Sequence, residues 1–309
     1  MLKISLNFDA TNQRLMIKHP NSLIAGLVTT LLLLATSSLL MGAESASQPT
    51  NGITLTGGAI DQWNGYARHS FKVDGCACWI VEPRTPAAGN PWAWCMEFPD
   101  AFVDRIGGPK LLAKGFYYLH IQVGNTFGCP NAVKHFNAFY QAFTAAGLAK
   151  KGALIGVSRG GLYAYNWAAL NPDKVVCIYG DAPVCDFKSW PGGKGKGAGS
   201  PGDWQQLIKC YGFKNESEAL ACKSNPVDNL AVLAKARIAL VHVVGDADDA
   251  VPVAENTAVV ERRFKELGGE ITVIHKPGAG HHPHGLDDPT PVVEIILKQT
   301  TKSSSNPTP

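Results

Sequence analysis

The chain has 309 residues, 45% of them apolar, with 28 Lys and Arg against 25 Asp and Glu for a net charge of +3. That is ample material for a large core. So small a charge gives no electrostatic reason to expect nucleic acid or an anionic membrane surface as a partner.

The first residues are basic or neutral (Lys3, Arg14 and Lys18 against Asp9), and an uncharged apolar run then extends from Leu23 to Ala43. Small polar residues follow. This pattern predicts an export signal over 1–43, cleaved after Met41-Gly42-Ala43, with Met16 as an alternative start. A run of about twenty apolar residues also spans a bilayer, so a retained anchor at 23–43 is the other reading. In either case the remainder lies outside the cytoplasm, periplasmic or extracellular. Removing 1–43 takes away three cationic residues and one acidic residue, leaving 25 against 24, a net charge of +1.

Residues 44–68 read as a lead-in. From 69 onward strand-like and helix-like runs alternate. Segments 69–73 and 77–81 form an antiparallel pair around Asp74-Gly75. The next strand, 91–98, is rich in aromatics. A helical stretch at 101–114, a strand at 116–123 and a helix at 132–148 follow. An apolar run ending at Ser158 leads directly into another helix. Strands are expected at 175–179, 238–244 and 271–275, and helices at 254–267 and 291–298. The pattern predicts an α/β fold with a doubly wound, mostly parallel sheet and helices on both faces. The domain runs over 69–299. A Gly/Pro-rich insertion at 181–233, holding only short helical pieces, lies over the edge that carries the chemistry. The tail 300–309 reads as disordered. The loop from Lys188 to Lys196 is the nearest approach to a basic patch, and it lacks the interleaved aromatics of a single-strand binder.

All eight cysteines lie after the export segment, and an even count in an exported chain allows disulfides. Cys210 and Cys222 flank a helical stretch at 215–220 and are the first expected pair, with Cys95 and Cys129 the second. Cys177, in an apolar strand, reads as a buried thiol.

Gly156-Val157-Ser158-Arg159-Gly160 sits where strand passes to helix. There a Gly-x-Ser-x-Gly pattern lifts a serine onto a sharp, crowded turn above the sheet. The bland reading is a Gly-rich strand–helix turn. A serine hydroxyl is a weak nucleophile until a base takes its proton and an acid holds that base in one tautomer. Both follow in the order acid, then histidine. After the apolar strand ending at Val244 comes Gly245-Asp246-Ala247-Asp248-Asp249-Ala250-Val251-Pro252. Spacing favours Asp248 as the acid, with Asp246 and Asp249 as alternatives or loop-holding residues. In Gly278-Ala279-Gly280-His281-His282-Pro283-His284, His281 is the expected base and His282 the second choice. His275 reads as a packed histidine. A rival reading makes His281, His282, His284 and Asp287 or Asp288 a metal site, but consecutive histidines are expected to diverge. No metal or cofactor is therefore expected. The oxyanion donors would be the backbone N–H of Arg159 and one N–H near Met96 to Phe98, assigned to Glu97. Trp92, Trp94 and Phe98 read as part core and part pocket wall.

With these three motifs in order, the chain resembles the α/β-hydrolase superfamily, and within it secreted bacterial serine hydrolases of the esterase and prolyl-oligopeptidase-like type. The likeness extends over 73–298. It implies the α/β-hydrolase fold, with Ser158 as nucleophile, Asp248 as acid and His281 as base. The run Pro91-Trp92-Ala93-Trp94-Cys95-Met96-Glu97-Phe98 departs from it, standing where many relatives carry a His-Gly motif. The expected function is hydrolysis of a small-molecule or carbohydrate ester, acylated sugars being suggested by the nearby tryptophans. A peptidase or amidase of prolyl-oligopeptidase type is the alternative, disfavoured by the absence of a propeller-sized N-terminal domain from the sequence. A non-catalytic binding protein on the same fold is the alternative of another class.

Overall fold

The structure, a computed structural model, describes residues 58–305. The expected export segment 1–43 and the lead-in as far as residue 57 lie outside the described residues.

Two antiparallel hairpins come first: β1 (Ala59–Trp63), β2 (Tyr66–Val73) and β3 (Cys76–Val81) pair in chain order. Their turns, Asn64-Gly65 and Asp74-Gly75, have positive φ at both positions, the mirror-type geometry whose twist suits a two-residue hairpin. Strand β1 falls within the expected lead-in. All its residues but Trp63 face solvent, so it carries no apolar alternation from which a strand could be read. Trp63 docks it by stacking on Tyr118 at 5.2 Å between ring centroids.

Next come β4 (Trp92–Cys95), the short helices α1 (Val103–Ile106) and α2 (Gly108–Ala113), β5 (Tyr117–Ile121) and α3 (Pro130–Ala145). The single helix expected at 101–114 is broken at Gly107, whose φ is 91° and whose missing side chain makes room for Val293. Then follow β6 (Gly152–Val157), α4 (Gly160–Leu170) and β7 (Val175–Asp181). A long connection carrying α5 (Pro201–Tyr211), α6 (Glu216–Ala221) and α7 (Leu230–Lys235) leads to β8 (Ala239–Gly245). The chain continues through α8 (Thr257–Glu266), β9 (Ile271–Lys276) and α9 (Thr290–Ser305).

The strands form one sheet in the order β1-β2-β3-β5-β4-β6-β7-β8-β9. It is antiparallel up to the β3–β5 pair and parallel from β5 to β9. Every residue of β4, β5, β6, β7 and β8 is buried, as parallel strands covered on both faces require. Successive side chains of a strand point to opposite faces. On one face Trp92, Trp94 and Leu154 pack with Phe136 and Phe139 of α3 and Trp167 of α4. On the other, Ala93, Cys95 and Ile155 pack with Leu111 and Leu112 of α2 and Val292 and Ile296 of α9. Each large side chain so buried contributes about 1.5–3 kcal/mol. The chain leaves β4 for β5 on one side and returns to β6 on the other. That reversal opens a crevice beyond the C-terminal ends of β4 and β6, the place where open parallel sheets take ligands.

The insertion packs Phe187, Trp204, Leu207 and Leu233 into the Trp94 face of the main sheet. Two expectations need correction. Helix α9 continues to Ser305, through part of the tail expected to be disordered. There the Thr300 and Thr301 hydroxyls donate to the Ile296 and Leu297 carbonyls, and Lys302 lies 3.9 Å from Glu270. The eight cysteines are free thiols. Cys210 is aimed at the Asn125 carbonyl, 3.6 Å away, while Cys222 accepts from the Ser224 N–H. Cys95 and Cys129 belong to opposite faces of the sheet, so the strands separate them. Among the described residues no helix is long and apolar enough to cross a membrane.

Candidate active site

Ser158 follows the last residue of β6 and precedes α4 by one residue. Its φ is 51°, left-handed backbone for a residue with a side chain, at a cost of about 1–3 kcal/mol. Its neighbours hold it there. The Ser158 N–H donates to the Asp181 carbonyl at 2.8 Å, and its carbonyl accepts from Val184 at 2.9 Å. Gly156 is required by crowding, since a Cβ there would stand 2.8 Å from the Gly160 carbonyl oxygen.

Two further loops reach the same spot. The turn after β8 carries Asp248, whose Oδ1 accepts from the N–H groups of Ala250 and Val251 at 3.0 and 2.8 Å. Its Oδ2 lies 2.7 Å from His281 Nδ1. The loop after β9 brings His281, whose Nε2 is 3.0 Å from Ser158 Oγ. Gly245 lets the loops approach, because a side chain there would strike the carbonyls of Ala279 and Gly280. The contacts define the tautomer: Nδ1–H donates to the carboxylate, and Nε2 is left to accept from the serine hydroxyl. The Asp248 side chain is 1% exposed and that of His281 12%, so the pair is shielded while the serine side stays open.

The alternatives separate cleanly. Asp246 binds His275 at 2.6 Å on the surface, so His275 is an exposed partner and not the packed histidine expected. Asp249 is exposed. His282 makes no hydrogen bond to Ser158 among the described residues and stacks on Phe102 at 5.9 Å. Burial, and then the neighbouring His284 and His281, push its pKa below the usual histidine value.

The residues assigned to the oxyanion sit side by side. A Cβ on Gly160 would be 3.1 Å from Glu97 Cβ and 3.7 Å from its backbone nitrogen. This brings the end of β4 against the turn after Ser158. No other hydrogen bond among the described residues takes up the backbone N–H of Glu97 or of Arg159. The Arg159 side chain donates to Glu97 Oε1 at 2.7 Å and to Asn125 Oδ1 at 2.7 Å, and lies over the Phe98 ring at 4.9 Å.

Trp92 and Trp94 are core, 3% and 0% exposed. Trp94 packs edge-on against Phe136 and Trp167. The exposed aromatics near the site are Phe98 and Phe102, at 37% and 38%.

One group was not legible in the sequence. Asp181, fully buried at the end of β7, binds His284 Nδ1 at 2.7 Å, and also accepts from Tyr179 and the Gly285 N–H. An aspartate closing one strand and a histidine 103 residues later share no local signal. Asp287 and Asp288 are held elsewhere, by Arg105 and Lys110, and so do not join the three histidines.

No family model matches the sequence, and no curated protein matches it. Solved structures do. A puromycin-hydrolyzing peptidase of Mycobacterium tuberculosis aligns with a TM-score of 0.58 at 14% identity, covering 77% of this chain and 39% of that one. Dipeptidyl peptidase 4 of Porphyromonas gingivalis aligns at 0.57 and 15%, covering 77% and 36%. Est1E from Butyrivibrio proteoclasticus aligns at 0.52 and 13%, covering 81% and 100%. The chain thus spans well under half the length of the two peptidases and the whole of Est1E. From the sheet order, the strained turn at its switch point and these likenesses, the chain has the α/β-hydrolase fold.

Proposed function

We propose that the protein is a serine hydrolase that cleaves a carboxylic ester through an acyl-enzyme on Ser158. The observation that carries this reading is the unbroken relay Ser158 Oγ–His281 Nε2, His281 Nδ1–Asp248 Oδ2, at 3.0 and 2.7 Å. In the cycle, His281 takes the Ser158 proton as Oγ attacks the ester carbonyl. The oxyanion forms beside the N–H groups of Arg159 and Glu97, each donor contributing roughly 3 kcal/mol to the transition state. His281 returns the proton to the leaving alkoxide, and Asp248 keeps the imidazolium oriented. Water then attacks the acyl-enzyme with the same base.

One observation favours an ester: Est1E, an esterase, is matched over its full length. The peptidase or amidase reading stands second, on the slightly higher TM-scores of 0.58 and 0.57. The acylated-carbohydrate reading loses support, because Trp92 and Trp94 are core and the rings of Phe98 and Phe102 pack against Arg159 and His282. The composition of 1–43 supports placing the activity outside the cytoplasm.

A fluorophosphonate probe tests the central claim. Wild type is expected to label and Ser158→Ala is not, with activity surviving EDTA. A folded wild type that does not label would leave a binding protein on this fold. Activity lost to EDTA and restored by zinc would replace the serine mechanism. A panel of 4-nitrophenyl esters, acetylated xylan-type sugars and aminoacyl amides then ranks the substrate classes.

A further inference from the structure

Three imidazoles converge beside the nucleophile. The ring centroids of His281 and His282 are 5.0 Å apart, those of His281 and His284 4.8 Å, and those of His282 and His284 4.7 Å. Each pair is close to perpendicular, at 75°, 81° and 84°. One ring nitrogen from each lies within 4.8 Å of those of the other two. The divergence expected of neighbouring histidines does not occur, because Asp181 draws His284 inward beneath His281.

We propose that His281, His282 and His284 form a reversible inhibitory site for a divalent transition-metal ion of the Zn²⁺ type. Two of the three rings have the outer-shell partner that metal-bound histidines use: a carboxylate on Nδ1 that leaves Nε2 to the ion. Asp248 does this for His281 and Asp181 for His284. His282 is exposed. A tetrahedral ion with Zn–N of about 2.0–2.1 Å needs nitrogens about 3.3 Å apart. The cluster therefore closes by about 1.5 Å, within the reach of small side-chain rotations. The fourth position falls to solvent or to Ser158 Oγ. Each ring gives the lone pair of a neutral imidazole in place of a water ligand that the ion releases to solvent, so nothing is oxidised, and within the protein the hydrogen bond between Ser158 and His281 is lost. The lone pair that activates the serine is the one the metal takes. Hydrolysis and metal binding therefore exclude each other. The binding is independent of the enzymatic reading; only the inhibition rests on it.

The test uses the full chain, with Zn²⁺ as the probe. Calorimetry is expected to show one ion per chain. Fluorophosphonate labelling and 4-nitrophenyl acetate turnover should fall with the same midpoint and return on adding EDTA. His282→Ala, an exposed change outside the relay, should keep full basal turnover. It should bind zinc more weakly by upwards of about tenfold, since losing a ligand costs no less than losing an outer-shell partner. Absence of stoichiometric binding overturns the proposal, as does a His282→Ala protein that binds and is inhibited like wild type. A protein that binds zinc through His282 but never labels would retain the metal site and defeat the hydrolase reading instead.

Discussion

Arg159 reaches back across the switch point to set its guanidinium 2.7 Å from Glu97 Oε1, tying the residue after Ser158 to the end of the neighbouring strand. Both proposed oxyanion donors are backbone groups of this linked pair. Glu97→Ala frees the turn and leaves the guanidinium without its carboxylate. Its kcat is expected to fall roughly ten- to a hundredfold, less than the 10²–10³ of losing a donor outright, with KM little changed. Glu97→Gln keeps an acceptor and should lie nearer wild type. Steady-state kinetics on both variants is the check.

Three aspartates share the turn after β8, and only one touches the imidazole. Asp248→Asn is expected to lower kcat by about 10⁴-fold, because an amide in that place favours the wrong histidine tautomer. Asp246→Asn and Asp249→Asn should leave kcat unchanged. Equal losses at Asp246 and Asp248 would contradict this geometry.

The turn at Ser158 has no spare volume. Gly156→Ala puts a methyl 2.8 Å from the backbone oxygen of Gly160, and backbone on both sides leaves it little room to move. A loss of about 1–3 kcal/mol in stability is expected, together with weaker fluorophosphonate labelling. Urea unfolding followed by tryptophan fluorescence measures the first.

Asp181 has no exposed surface and serves three donors. Asp181→Ala strands His284, Tyr179 and the Gly285 N–H at once, at a cost of about 3 kcal/mol or more. Thermal unfolding should show a large fall in Tm. An unchanged Tm would mean that this network is not formed.

His242 is wholly buried between Tyr165 and Thr257, accepting or donating at 2.7 and 2.9 Å. Desolvation lowers its pKa from 6.5 to about 3. Between those values the unfolded chain binds a proton that the folded chain refuses. Stability contributed by the neutral ring is therefore full above about pH 6.5 and declines as the pH falls toward 3, by at most about 1.4 kcal/mol per pH unit. Urea midpoints at pH 7, 6 and 5 should fall less steeply for His242→Gln, whatever its absolute stability.

By itself the sequence determined the local grammar. The glycines around Ser158, the apolar strand running into an aspartate turn and the Gly-rich loop before His281 each record a steric need of a single segment, and together they implied both the fold and the candidate relay. What only the tertiary structure decided concerns partners far apart in the chain. The pairing of Asp181 with His284, the neutralisation of Glu97 by Arg159, the burial of Trp92 and Trp94 and the separation of the cysteines all depend on which strand lies beside which. Strand β1 escaped the sequence for a related reason, since a solvated edge strand has no buried face to pattern. Local sequence constrains backbone geometry within a turn or two, whereas hydrogen bonds between distant loops exist only once the sheet has brought their ends together.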